Sequence, residues 1–216
     1  TTYTINYRPK KVDRREALRV SVDGLKGGHS GVDIHLPRYN ANKLLAKCLK
    51  MLHKEITLRL AHFEGGTRSN VIPRNAYADI LVPSRHISKA FELIDEWANS
   101  IDKTHEPGLK VSTTPVGVVS AAPVHETEQF LDIVSEIPFG PKSWSPDYDD
   151  LVQTSNNNGI IHTEDNAFKI MVSSRTCDLK DGYDNQRILY ELGQKYRVKT
   201  EQSELRAGWK ADPESR

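Results

Sequence analysis

The residues that could do chemistry here are few, and they sit in glycine-rich loops or at strand ends. His29 lies in Gly27-Gly28-His29-Ser30-Gly31, where flanking glycines permit unusual backbone dihedrals and close approach of another chain or a ligand. Two readings are open for it: a surface turn that happens to contain a histidine, or an imidazole placed to donate a hydrogen bond to an oxyanion that develops elsewhere. Asn70, ahead of Val71-Ile72-Pro73, either caps that turn, the more frequent role, or offers its amide to a substrate carboxylate. Arg175 follows the expected strand Phe168 to Ser173, so its guanidinium can be solvated, paired with a surface carboxylate, or free to clamp a ligand carboxylate through two parallel bonds. The polar run Thr154 to Gly159, inside another expected strand, marks a bulge or a ligand-facing patch.

What is missing narrows the chemistry further. No His-Glu-x-x-His, paired Cys-x-x-Cys, phosphate-binding glycine loop or Gly-x-Ser-x-Gly elbow occurs. Of the eight histidines, His29 and His35 are the one near pair outside helices, and they lack an obvious third ligand, so no metal site is expected on this chain. Thirty basic against 29 acidic side chains leave a formal charge of +1, which calls for neither nucleic acid nor a membrane surface; a small ligand or another protein fits better. No apolar run approaches the roughly 20 residues that span a bilayer, and the sequence reads as a segment cut from a longer polypeptide. The two cysteines, Cys48 and Cys177, read as free thiols of a reducing compartment.

The elements that must position these residues follow from hydrophobic periodicity. Leu18, Val20 and Val22 alternate as a strand that stops at Gly24 and runs into the His29 loop. Leu44, Leu45, Cys48, Leu49 and Leu52 form one helical stripe, and Ile87, Phe91, Ile94, Ala98 and Ile101 form another. With strands near 56–60, 75–82 and 109–119, the order is strand, helix, strand, strand, helix, strand, which is the split βαβ or ferredoxin-like plan. Helices around 130–137 and 183–196, paired strands near 151–162 and 166–174, and a strand over 198–206 rhyme with it. The expectation is therefore one α+β domain over residues 1–216, with a largely antiparallel sheet, helices on one face and halves at 17–120 and 121–206. Residues 1–16 are expected as an entry strand or linker more than a core element, 207–216 as a linker, and 138–149 as an irregular connection.

Several of these segments together carry a specific resemblance. Gly24 to His35 followed by Asn40-Ala41-Asn42-Lys43-Leu44-Leu45, Gly65 to Arg74, Thr154-Ser155-Asn156, Ser174-Arg175, Gly208-Trp209-Lys210 and Asp212 to Ser215 resemble the bacterial Xaa-His (aminoacylhistidine) dipeptidases over nearly the whole chain. The resemblance implies the lid and dimerisation domain of a cytoplasmic, zinc-dependent dipeptidase, with the zinc ligands and general base on an absent catalytic domain and homodimerisation through the lid. It also implies that His29 stabilises the tetrahedral oxyanion, in the partner subunit's site, while Asn70 and Arg175 bind the substrate carboxylate. The chain alone would then be inactive. Where many of the wider clan carry an arginine after the Asn-Val-Ile-Pro turn, this sequence reads Asp79-Ile80-Leu81-Val82, so the clamp falls to Arg175 or another residue. The competing reading is a non-catalytic ferredoxin-like module for ligand binding or oligomerisation, since this plan hosts many functions.

Overall fold

The computed structural model describes residues 1–164, 166–205 and 208. In chain order come β1 (Thr2–Asn6), β2 (Lys10–Lys11), β3 (Arg15–Asp23), β4 (Gly28–His29) and α1 (Ala41–Glu55). They are followed by β5 (Arg59–Gly65), β6 (Val71–Ile72), β7 (Ala76–Pro83), α2 (Ile87–Ser100), β8 (Lys110–Pro115) and β9 (Ser120–Ala121). The rest comprises α3 (Val124–Glu136), β10 (Gly140–Trp144), β11 (Val152–Glu164), β12 (Ala167–Thr176), α4 (Leu179–Lys195) and β13 (Lys199–Glu201).

Local chemistry accounts for the boundaries. Asn40 starts α1 by accepting a hydrogen bond from the Lys43 backbone N–H at 3.2 Å, and Asp178 starts α4 in the same way from Asp181 at 2.7 Å. The stripe Leu44, Leu45, Cys48, Leu49 and Leu52 is buried, as are Leu18, Val20 and Val22 on β3. Cys48 lies in the core and Cys177 is half-buried, and both are free thiols.

One sheet runs in the order β13-β1-β12-β11-β5-β7-β3-β8, antiparallel at every step, with β10 added along the first part of β11. The helices lie in a row, α2, α1, α3, α4, on one face. The unit β3-α1-β5-β7-α2-β8 is the expected ferredoxin-like plan, its fourth strand beside its first, its first beside its third and its third beside its second. The series β1-α3-β11-β12-α4-β13 repeats that neighbour order. The chain is thus an internal duplication, with the first unit inserted between the leading strand and the leading helix of the second. The halves meet through their second strands, where Ile161 pairs with Gly65 and His162 with Glu64.

This arrangement corrects three expectations. Residues 1–16 are no simple linker: β1 is an interior strand between β12 and β13, with Tyr3 and Ile5 in the core. The second half therefore begins at Thr2 as well as after residue 120, and the polar surroundings of β1 hid an alternation of only two apolar residues. Residues 140–144 of the expected irregular connection form β10, and among the described residues of the expected strand over 198–206 only Lys199–Glu201 are strand. The expected linker 207–216, apart from Gly208, and Asp165 of the expected turn lie outside the described residues.

Tyr3 is fully buried and its hydroxyl donates to the Leu189 carbonyl at 2.7 Å, joining β1 to α4. Tyr3→Ala should cost about 3–5 kcal/mol, the range for removing a buried aromatic ring, read as a lowered urea midpoint. An unchanged midpoint would mean that β1 does not belong to the cooperative core.

Candidate functional site

The His29 loop is held from several sides. β4 pairs with β6, placing His29 opposite Val71, and the Ser30 N–H donates to the Asn70 carbonyl at 2.9 Å. Asp33 accepts from the His29 backbone N–H at 2.8 Å and forms an ion pair with Arg38 at 3.3 Å, while Arg38 also donates to the Gly27 carbonyl. Gly28, at φ 140°, leaves no room for a side chain between Arg38 and Asp33. At the base of the loop Glu106, fully buried, accepts from the backbone N–H of Lys26 at 2.8 Å and of Tyr39 at 3.3 Å.

These contacts fix the chemistry of the imidazole. The backbone N–H groups of Gly31 and Val32 point at Nδ1 of His29, at 3.2 and 3.3 Å. Nδ1 is therefore the acceptor, and the proton of the neutral ring belongs on Nε2. Among the described residues no protein group engages His29 Nε2, the Asn70 side-chain amide or the Arg175 guanidinium.

His29 and Arg175 come together although they lie far apart in sequence, and Asn70 joins the His29 loop through its backbone carbonyl. A Cβ built on Gly31 would fall 3.1 Å from Cε1 of His29 and 3.3 Å from Cζ of Arg175, so that glycine is the gap between the two side chains. Arg175 reaches this point from β12, where it pairs with Ser155 of β11. An open cleft of about 960 Å³ lies here, with Gly31, Ser69, Thr154, Ser155, Ser173 and Arg175 on its walls. His29 and Asn70 are not among its lining residues; their neighbours in sequence, Gly31 and Ser69, are. The polar run of β11 contains the expected irregularity, a register shift between Asn158 and Ile160, and its Thr154 and Ser155 line the cleft.

Other expectations fall elsewhere. Asp79, standing where a clamp arginine was looked for, accepts both arms of Arg19 at 2.7 and 2.9 Å and takes no part in the cleft. Among the described residues no group of three or more His, Cys, Asp or Glu side chains is arranged to hold a metal ion, and His35 does not join His29 in one. No helix among them is long and apolar enough to cross a membrane. Sequence reasoning missed Asp33, Arg38 and Glu106. Asp33, four residues after His29 in a glycine-rich turn, carried a usable signal as an acceptor for loop N–H groups; Glu106, 80 residues from its partner Lys26, carried none.

An antiparallel ferredoxin-like unit with a histidine loop at its strand ends defines a class of protein domain. Residues 20–108 match the family model described as a peptidase dimerisation domain, of the M20 family. That match falls within the first ferredoxin-like unit, and the chain is homologous to dipeptidases. It is 32% identical over 205 residues to the cytosol non-specific dipeptidase of Escherichia coli (strain K12), which takes in 93% of this chain and 42% of that protein. Its whole length superposes on the aminoacylhistidine dipeptidase of Vibrio alginolyticus with a TM-score of 0.93 at 27% identity, covering 45% of that structure. The chain thus spans less than half the length of these relatives.

The gap at Gly31 is testable without any substrate. In Gly31→Ala the new methyl should displace both side chains by a few tenths of an ångström, so the His29 ring and Arg175 Nε–H NMR signals should shift together. The thermal midpoint should stay near wild type, as it does for most exposed substitutions. Movement of one signal alone would show that the two side chains do not share this space.

Proposed function

We propose that the chain is the lid and dimerisation domain of a cytoplasmic, zinc-dependent dipeptidase that hydrolyses Xaa-His and related short peptides. The observation that carries this reading is the meeting of His29 and Arg175 at Gly31, on the wall of one cleft, in a chain homologous to dipeptidases. In this reading Nε2–H of His29 donates to the oxygen that gains negative charge as the peptide carbonyl is attacked, where a fixed donor is worth most. Arg175 receives the C-terminal carboxylate and the Asn70 amide donates to it, orienting the scissile bond. Among the described residues no group of His, Cys, Asp or Glu side chains is arranged to hold a zinc ion, and in this reading the metal and its ligands belong to the catalytic domain that the lid covers. The lid by itself is inactive and closes over that domain as a moving body.

Homodimerisation through the lid is part of the same proposal. The second strand of each half is already covered by the other half, so pairing with a second copy falls to the outer strands β8 and β13 or to the helix row.

In the full-length enzyme, His29→Ala should lower kcat by about 10²–10³ with a smaller change in KM, the loss expected for one oxyanion donor. Arg175→Ala should mainly raise KM. Steady-state kinetics on an aminoacyl-histidine dipeptide checks both; wild-type turnover in His29→Ala would remove the catalytic role from the lid.

A further inference from the structure

The turn that carries Asn70 is held from both halves of the molecule: its own half supplies the Ser30 N–H on the Asn70 carbonyl and the pairing of β4 with β6. It has an internal bond, from the Val71 N–H to the Arg68 carbonyl at 3.2 Å. Its outward-facing carbonyls are taken by β11 of the other half: both hydrogens of the Asn157 amide are donated, to the Ser69 carbonyl at 2.9 Å and to the Val71 carbonyl at 2.8 Å. These carbonyls bracket Asn70. Asn157 is 1% exposed, and its Oδ1 faces the Asn40 Nδ2 at 3.4 Å, so the amide is oriented on both sides.

The backbone around Asn157 is shaped to allow this contact. A Cβ on Gly159 would lie 2.6 Å from the Ser69 carbonyl oxygen, so β11 presses directly on the turn at the site of its register shift. Two residues before Asn157 on the same strand face is Ser155, the cross-strand partner of Arg175. One stretch of β11 therefore touches the backbone on either side of Asn70 and pairs with the residue that carries the clamp.

We infer that Asn157 is a positioning residue for carboxylate recognition: by bridging Ser69 and Val71 it sets the distance between the Asn70 amide and the Arg175 guanidinium. This rests on the proposed function. A side chain that only filled space would not need both amide hydrogens on the two carbonyls flanking one exposed asparagine. Without the bridge the turn keeps the bonds within its own half but loses the side-chain tie to β11, and through β11 to β12, and the two carboxylate donors no longer hold a fixed span. Arg175 alone still attracts the substrate, while discrimination for a C-terminal carboxylate weakens.

The test compares an aminoacyl-histidine dipeptide with its C-terminal carboxamide in the full-length enzyme, for wild type, Asn157→Ala and Asn157→Ser. The ratio of kcat/KM for the two substrates does not depend on how much enzyme is folded, so instability cannot imitate the effect. We expect that ratio to fall about tenfold in Asn157→Ala, the loss of two hydrogen bonds of ordinary net strength, and less in Asn157→Ser, which keeps one donor. The KM for the dipeptide should rise with kcat little changed. A wild-type ratio in both variants, alongside a raised KM in Asn70→Ala and Arg175→Ala, would overturn the inference alone. Unchanged KM in the Asn70 and Arg175 variants as well would overturn the proposed function with it.

Discussion

The structure depends on one edge-to-edge contact. β5 and β11 are the second strands of two ferredoxin-like units, and each would expose a row of unpaired backbone groups if its unit stood alone. They share only a short ladder, at Gly65 with Ile161 and Glu64 with His162, and the remainder of the junction is made by side chains. Phe63 of β5 packs against Phe130 of α3 with ring centres 5.1 Å apart, and Phe130 packs against Phe168 of β12 at 4.9 Å. Behind the sheet, the Lys43 ammonium on α1 donates to the carbonyls of Val134, Ser135 and Ile137 at the end of α3, groups that a helix terminus would otherwise leave without partners. Apolar burial and satisfied end groups thus join two halves that have little backbone pairing between them.

That junction is also what makes a site out of separate loops. His29 and Asn70 belong to the first unit and Arg175 to the second, so neither could meet Arg175 within its own unit. The extra length of β11 is what connects them: its last residues close the sheet with β5, and its first residues form the wall of the cleft with β12. A duplicated domain in which one copy supplies the histidine loop and the other the arginine turns internal symmetry into an asymmetric pocket.

Much of this was legible from residue order. The stripes of α1 and α2, the alternation of β3 and the spacing of later elements define the ferredoxin-like plan, because period in a sequence reports directly on which face is buried. His29, Asn70 and Arg175 were legible as individual residues in suitable loops and strand ends. Their convergence was not, since it depends on a register between β5 and β11 that no local pattern encodes. β1 escaped for a related reason: Tyr3 and Ile5 alternate over too few residues to outweigh the charged segment that follows, and their burial is set by β12 and α4, far along the chain. Glu106 escaped because a lone carboxylate between a histidine and a proline gives no sign that it caps a loop 80 residues earlier.

The central claim is that one substrate is held at once by residues from both halves of this chain. A crystal structure of the full-length enzyme with a phosphinic dipeptide mimic, whose tetrahedral phosphorus stands for the attacked carbonyl carbon, tests it most directly. The account predicts Nε2 of His29 within about 3.2 Å of a phosphinate oxygen, with Arg175 and Asn70 of the same lid on the C-terminal carboxylate. A closed complex in which the carboxylate is held by other residues and His29 faces solvent would contradict it.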